Sequence, residues 1–120
     1  MTRAVSADSA EHYLWGDGCD GWRLADGETL SVILERVPAG RGEARHYHRR
    51  ARQFFFVLEG RATLRVGEDT VVLEAGQGVE VPPLVPHRMD NATGQDVVFL
   101  VISGPTSQGD RHEAPAGADG

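Results

Sequence analysis

The sequence contains a single cysteine, Cys19, so no disulfide can form within the chain. No apolar run approaches the length of a membrane span, since the longest uninterrupted one covers only residues 97–102. The first residues also lack the apolar segment of a secretory signal peptide. These absences predict a protein that does not enter membranes and that resides in a reducing compartment, the cytoplasm.

Positive charge is scarce. The chain has 12 Lys and Arg residues against 18 Asp and Glu residues, for a formal net charge of -6. No basic field is available to attract phosphate backbones, so nucleic-acid binding is disfavoured. The one concentrated basic stretch, residues 46–52, is short, and we interpret it as a solvated turn between strands.

Long helical periodicity and internal repeats are absent as well, whereas 15 glycines and six prolines punctuate the chain at short intervals. The segments between them are short and rich in β-branched and aromatic residues, which favours antiparallel strands. The predicted fold class is therefore all-β, a sandwich or barrel. Strands are expected at residues 22–25, 29–37, 45–49, 53–58, 62–66, 70–73, 78–81, 86–91 and 96–103.

Both ends of the chain differ from this centre. Residues 1–12 are polar and aperiodic, and residues 105–120 are rich in Gly, Ala, Pro and charge, so both are expected to be mobile. Deleting residues 107–120 is therefore expected to leave folding almost intact. Aromatic residues near the N-terminus are expected to seal one end of the barrel or a dimer seam: Tyr13, Trp15 and Trp22.

Four residues form a candidate metal site. His46 and His48 are two positions apart, so on a strand both imidazoles project from the same face and can meet one ion. Gln53 follows after a turn, and His87 arrives from a distant strand behind prolines that hold the backbone extended. Each histidine alone has an ordinary structural explanation, but the set together favours a shared ligand role.

The same residues carry a resemblance to the cupin family. Residues 40–60 (GRGEARHYHRRARQFFFVLEG) resemble the first cupin motif, in which glycine is followed by His-x-His, a carboxylate and a second glycine. Residues 76–91 (GQGVEVPPLVPHRMDN) resemble the second motif, with Gly76, Pro82, His87 and Asn91 in register. Leu84 departs from the motif's glycine, and Gln53 departs from its metal-binding carboxylate.

The resemblance implies a single-domain cupin, a jelly-roll β-barrel of antiparallel strands over residues 29–104 that commonly forms a homodimer. Residues 1–28 would be an N-terminal extension that packs on the barrel or swaps between barrels, and residues 105–120 a mobile tail. It also implies that His46, His48, Gln53 and His87 bind one divalent metal ion. The set of three histidines and one glutamine is similar to that of cupin-type polyketide cyclases.

Gln53 leaves two interpretations open: its amide oxygen still coordinates a metal, or the site has become a metal-free ligand pocket. We favour retained metal, because three histidines in an apolar barrel need a partner. Zinc is the first expectation, with iron, manganese or nickel as alternatives.

An uncharged amide leaves the full charge of the ion on the site, which favours non-redox Lewis-acid chemistry on a small molecule: cyclisation, isomerisation or elimination. The alternatives are a dioxygenase using iron, manganese or nickel, and a non-catalytic metabolite-binding or sensor cupin.

Strand alternation predicts the rest of the pocket. If Gln53 faces inward, so do Phe55 and Val57, either as an aromatic floor for a planar substrate or as core filler. Glu80 and Asp90 are candidate general bases if they reach the pocket, although an outward, solvated carboxylate is the ordinary alternative.

Overall fold

The computed structural model describes residues 2–114, and these form an antiparallel jelly roll without any helix. Strands form where β-branched and aromatic residues alternate between turns, as the composition predicts. None of the described residues forms a helix long and apolar enough to cross a bilayer. The strands are β1 (Glu11–Trp15), β2 (Cys19–Asp26), β3 (Ser31–Val37), β4 (His46–His48), β5 (Arg52–Glu59), β6 (Arg61–Val66), β7 (Asp69–Glu74), β8 (Gly78–Val81), β9 (His87–Asp90), β10 (Val97–Gly104) and β11 (Arg111–Glu113).

The strands make two sheets that pack face to face. A six-stranded sheet has the order β1-β2-β3-β10-β5-β8, and a five-stranded sheet has the order β11-β4-β9-β6-β7. The predicted all-β, antiparallel cupin jelly roll is confirmed, as a sandwich of two sheets rather than one closed barrel. Apolar side chains from both inner faces form the core, among them Val57, Leu64, Met89 and Phe99.

Strand β5 shows how alternation positions the site. Gln53, Phe55 and Val57 point between the sheets and are buried, whereas Phe54 and Leu58 point outward and are exposed. The inward face of β5 thus carries one polar residue, Gln53, next to an aromatic and an aliphatic one. This strand therefore delivers an amide to the space between the two sheets.

The ends of the chain belong to the fold to a greater extent than the sequence suggests. β1 and β2 extend the six-stranded sheet of the same chain, with β2 pairing on β3. At the other end β11 pairs with β4, and Asp110 is only 2% exposed. The first part of the tail predicted to be mobile, residues 105–120, thus contains the paired strand β11, while residues 115–120 lie outside the described residues. The composition of this segment does not indicate the contact, because the buried Asp110 and the three residues of β11 form no apolar pattern.

Candidate metal centre

Three histidines converge between the two sheets. His46 and His48 project inward from β4, and His87 on β9 pairs directly with His46 in the ladder. All three are at least 95% buried, and their ligand atoms lie within 4.8 Å of one another. The predicted convergence of these side chains is present.

Backbone carbonyl groups fix the orientation of each imidazole. The Nδ1 atoms of His46, His48 and His87 contact the carbonyl oxygens of Ala44, Asp110 and Val85 at 2.9, 2.9 and 3.0 Å. A carbonyl oxygen only accepts, so Nδ1 donates the proton and Nε2 carries the lone pair. Outer contacts of this kind typically orient metal-binding histidines.

Burial keeps the three imidazoles neutral. It lowers the pKa of His46 to about 3, with the neighbouring His87 acting in the same direction. It also lowers the pKa of His87 to about 4 and brings the pKa of His48 below its ordinary value. At neutral pH the inward nitrogens therefore carry no proton, which is the form that binds metal.

Gln53 completes the group from the opposite sheet. Its Nε2 donates to Ser103 Oγ at 3.0 Å, and its Oε1 then lies 3.2 Å from His87 Nε2. Two lone pairs face each other at this distance, which favours a cation between them. The Nε2 atom of His48 is also buried and has no hydrogen-bond partner among residues 2–114.

This donor set fits a divalent metal ion. Neutral imidazoles with their second nitrogen hydrogen-bonded are the commonest protein ligands for zinc, copper, iron and nickel, and an amide oxygen can add a hard ligand. The residues that would hold the ion are His46, His48, Gln53 and His87. The buried, unpartnered nitrogen of His48 has no other function in the described fold.

Asp110 holds the backbone next to this site. Its carboxylate accepts hydrogen bonds from the N–H groups of Arg49, Arg50 and Ala51 at 3.1, 2.9 and 3.0 Å, and its carbonyl receives His48. Burial alone would raise the pKa of Asp110, but the three N–H donors lower it to about 2. Sequence reasoning missed this role because the residue lies in the segment interpreted as a tail.

Leu84 occupies the turn before His87 in a conformation that favours glycine. Its φ of 72° is positive, and its N–H donates to the carbonyl oxygen of His48. The backbone of the cupin motif is therefore kept although its glycine is replaced. The side chain is 63% exposed, which gives it room in this conformation.

The two predicted general bases lie away from the histidines. Glu80 is opposite Phe54 on the outward face and binds Arg52 at 2.8 Å, which lowers the pKa of Glu80. Asp90 contacts Arg88 at 3.1 Å and Arg65 at 3.7 Å. Strand alternation explains both positions. Val81 pairs with inward-facing Gln53, so its neighbour Glu80 faces outward. His87 faces inward, so Asp90, three residues later, faces outward as well.

A cavity of about 190 Å³ opens beside the histidines. Phe55 belongs to the core and also lines this cavity, whereas Val57 is buried in the core and does not line it. The volume is below the roughly 300–1,000 Å³ of typical ligand pockets, so it suits a small molecule. Its lining residues are Tyr13, Trp15, Ile33, Glu35, Glu43, His46, His48, Gln53, Phe55, Val101, Ser107 and Arg111.

Two carboxyl groups in this lining were not found from the sequence, Glu35 and Glu43. Burial, followed by the nearby Glu43, raises the pKa of Glu35 well above its ordinary value. Burial also raises the pKa of Glu43 to about 7, although Arg111 and the N–H of Met89 act against it. The available signal was the position of Glu35 between Ile33 and Val37, which places a charge on an inward strand face.

Comparison with known proteins agrees with this geometry. The family model described as "Cupin domain" matches residues 33–103. Uncharacterized protein MJ1618 of Methanocaldococcus jannaschii is 26% identical over 79 residues, which cover 66% of this chain and 63% of that protein. The H2HPP isomerase of Bacillus subtilis is 30% identical over 89 residues, covering 73% of this chain and 37% of the isomerase. The chain thus spans less than two thirds of the length of either relative.

Solved structures share the architecture. KdgF from a Halomonas species superposes with a TM-score of 0.80 at 15% identity, over 88% of this chain and 96% of KdgF. The polyketide cyclase RemF from Streptomyces resistomycificus superposes with a TM-score of 0.77 at 19% identity, over 88% of this chain and 81% of RemF. A sugar phosphate isomerase of the cupin superfamily from Silicibacter pomeroyi superposes with a TM-score of 0.73 at 26% identity, over 85% of this chain and 75% of the isomerase. From the matched family region and the histidine cluster within it, the chain belongs to the cupin family.

Proposed function

We propose that this cupin is a metal-dependent enzyme that converts a small molecule by non-redox chemistry: cyclisation, isomerisation or elimination. The observation that carries the proposal is the set of three buried, neutral imidazoles whose Nε2 lone pairs converge, one of them without a partner. Zinc is the preferred ion. When bound, it would supply Lewis acidity toward a substrate oxygen.

Gln53 supports the non-redox choice. Its amide is neutral, so it does not offset the charge of the ion, and it cannot accept a proton. The position is held by Ser103, which fixes the amide oxygen toward His87. The names of several similar proteins, an isomerase and a cyclase among them, point in the same direction.

The cavity limits the substrate. At about 190 Å³ it suits a compact molecule better than an extended polycyclic one. Phe55 offers an aromatic wall beside the ligands, which suits a planar substrate. We therefore propose a small, planar carbonyl compound as the substrate class.

Metal analysis tests the proposal. Untagged protein reconstituted with zinc should retain close to one ion per chain, and His48→Ala should weaken binding at least about 100-fold because a direct ligand is lost. His12→Ala, on β1 and outside the site, is the matched control. Unchanged binding in His48→Ala, or no stoichiometric ion in the wild type, contradicts the proposal. Retention of iron or manganese with oxygen consumption would favour a dioxygenase, and metal binding with no turnover of any ligand would favour a sensor.

We also propose a homodimer that forms through the outer face of the six-stranded sheet. Apolar residues follow one another across neighbouring strands there, with Phe56 opposite Leu100, Leu100 opposite Leu34, and Leu34 opposite Trp22. The charges at its edges already pair within the chain, Arg36 with Asp20 and Arg52 with Glu80. A neutral, apolar face is best covered by an equally neutral one, which a second copy provides.

Light scattering tests this arrangement. Leu100→Glu places a charge at the centre of the outer face and should yield monomers, whereas Val72→Glu on the exposed face of the other sheet should not change the mass. A wild-type monomer at micromolar concentration, or a dimer that tolerates Leu100→Glu, argues against the outer face as the interface.

A further inference from the structure

The cavity has a second chemical group opposite the histidines. Glu35 projects inward from β3, where it is paired with Phe99 on one side and Gly21 on the other. Glu43 lies in the segment before β4, and its Oε1 accepts the N–H of Met89 at 3.1 Å. Glu35 lines the cavity, and its carboxyl group has no hydrogen-bond partner among residues 2–114.

These carboxyl groups share an electrostatic environment. Burial raises the pKa of both carboxyl groups, and the charge of Glu43 raises the pKa of Glu35 further. The Arg111 guanidinium lies 4.0 Å from Glu43 Oε2 and supplies the compensating positive charge. Two buried carboxyl groups beside one cation hold a proton between them more readily than both ionise.

Tyr13 encloses the pair from the N-terminal strand. Its ring lies over Gly21, where any larger side chain would overlap it, and the Arg23 guanidinium lies 4.4 Å from the ring centre. Burial, and then Glu35, raise the pKa of Tyr13 to about 12, so its hydroxyl keeps its proton at neutral pH. Tyr13 and Trp15 thus shield the carboxyl groups from bulk water.

We infer that Glu35 is the acid–base residue of this site, that Glu43 shares its proton, and that the substrate is a small carbonyl compound with a hydrogen on the carbon next to the carbonyl. This inference rests on the proposed function, because the histidines and Gln53 would hold the ion that faces the carbonyl oxygen. Glu35 lines the same small cavity as His46, His48 and Gln53, so a molecule of this class reaches both groups.

The proton transfer balances without an external reagent. With the shared proton on Glu43, the Glu35 carboxylate takes the proton from the carbon next to the carbonyl, the electrons of the broken C–H bond form a C=C bond, and the carbonyl π electrons move to oxygen. The carboxylic acid then returns the proton to a different atom of the substrate, which gives the isomer and restores the carboxylate. No oxidant or reductant is consumed, in agreement with a neutral Gln53 among the ligands.

Hydrogen exchange of a defined probe tests the inference. Hydroxyacetone in D₂O with zinc-loaded protein should exchange its carbon-bound hydrogens faster than with the same free zinc, measured by proton NMR. Glu35→Gln should lower this rate at least about 100-fold while one zinc per chain is retained. Glu80→Gln, an outward carboxylate, is the matched control and should equal the wild type. No exchange by the zinc-loaded wild type, or full exchange by Glu35→Gln, overturns the inference.

A second measurement needs no metal and no turnover. Carboxyl ¹³C NMR of the metal-free protein should show Glu35 titrating at lower pH in Glu43→Gln than in the wild type, because a like charge is removed. The other ionisable groups that act on the pair, Tyr13, Asp90, Arg111 and Glu113, are the same in both proteins. An unchanged Glu35 titration shows that the two do not share a proton and overturns the inference.

The two proposals fail in distinguishable ways. Absence of stoichiometric metal contradicts the proposed function, whatever the carboxyl titration shows. Bound metal together with full exchange in Glu35→Gln contradicts only the role of Glu35 and leaves the metal site intact.

Discussion

The cavity has two walls that are built in opposite ways. The ligand wall is formed by His46, His48 and Gln53, with His87 as the fourth, fully buried member of the cluster. Each of these side chains is fixed by a hydrogen bond to a carbonyl or hydroxyl group. The carboxylate wall, formed by Glu35 and Glu43, has one backbone hydrogen bond in total among the described residues. A metal ion requires ligands that do not move, whereas a proton carrier requires groups whose charge can change.

The difference also lies in charge. The ligand wall is neutral and accepts a cation, and the carboxylate wall is anionic with Arg111 next to it. A substrate between them would meet positive charge at one end and a proton acceptor at the other. The proposed function therefore requires that the two walls stay chemically distinct.

The largest expected effect comes from removing the support of the ligand wall at Asp110. Asp110→Ala leaves three backbone N–H groups without their acceptor and should lower stability by about 3 kcal/mol, or roughly 10 °C in melting temperature. Zinc affinity should fall about 10- to 100-fold, because the backbone that receives His48 Nδ1 loosens. Calorimetry and a zinc-chelator competition measure the two effects.

The acid dependence of this support has a defined sign. The folded pKa of Asp110, about 2, lies below its ordinary value, so its stabilisation is present above roughly pH 4 and is lost as the pH falls toward 2. The stability difference between wild type and Asp110→Asn should follow that course. A difference that grows on acidification would show that the carboxylate does not bind the Arg49–Ala51 N–H groups in solution.

The next effect tests the distinction between the walls directly. Gln53→Glu places a carboxylate in the ligand wall and should tighten zinc binding, since an anionic oxygen attracts the cation more strongly. Turnover should fall, because the added charge reduces the Lewis acidity of the ion. Metal titration and substrate turnover are measured together, with and without oxygen.

Two outcomes would change the interpretation of that variant. Faster, oxygen-dependent turnover in Gln53→Glu would support the dioxygenase alternative. Unchanged metal affinity would show that Gln53 is not a ligand. Ser103→Ala is a useful companion, because it keeps the amide but removes the hydroxyl that holds it.

The smallest effect concerns the turn that carries His87. Leu84→Gly relieves a positive φ and should stabilise the protein by up to about 1 kcal/mol after the greater chain entropy of glycine is counted. Gly76→Ala is the opposite control. Because Gly76 also has a positive φ, this substitution should lower the stability of the protein by about 1 kcal/mol. Urea unfolding measures both, and destabilisation by Leu84→Gly would mean that the leucine side chain contributes packing here.

The ligand wall could be predicted from the sequence because its spacing has a direct geometric meaning. His46 and His48 share a face on any strand, and the motif resemblance placed His87 and Gln53 with them. The carboxylate wall could not be predicted in this way. Glu35 lies on a strand with apolar residues on both faces, Val32 and Leu34 on one and Ile33 and Val37 on the other, so alternation alone did not say which side was inward.

The same reasoning explains the errors. Glu80 and Asp90 are candidate bases only if they reach the pocket, and in the structure each is one position out of phase with the inward face. The role of Asp110 could not be predicted from the composition of its segment, because it depends on a contact with His48, 62 residues away in sequence. Deleting residues 107–120, expected from the sequence to be harmless, would remove this contact and Arg111 as well.

The pairing of β11 with β4 has a consequence for biosynthesis. His48 and Asp110 are 62 residues apart in sequence, so during synthesis His48 is oriented only after the chain has been made as far as β11. A nascent chain that has His46, His48 and Gln53 but not yet β11 would hold the proposed metal weakly. Loading of that site would therefore follow the synthesis of β11, whose pairing with β4 marks the binding site as complete.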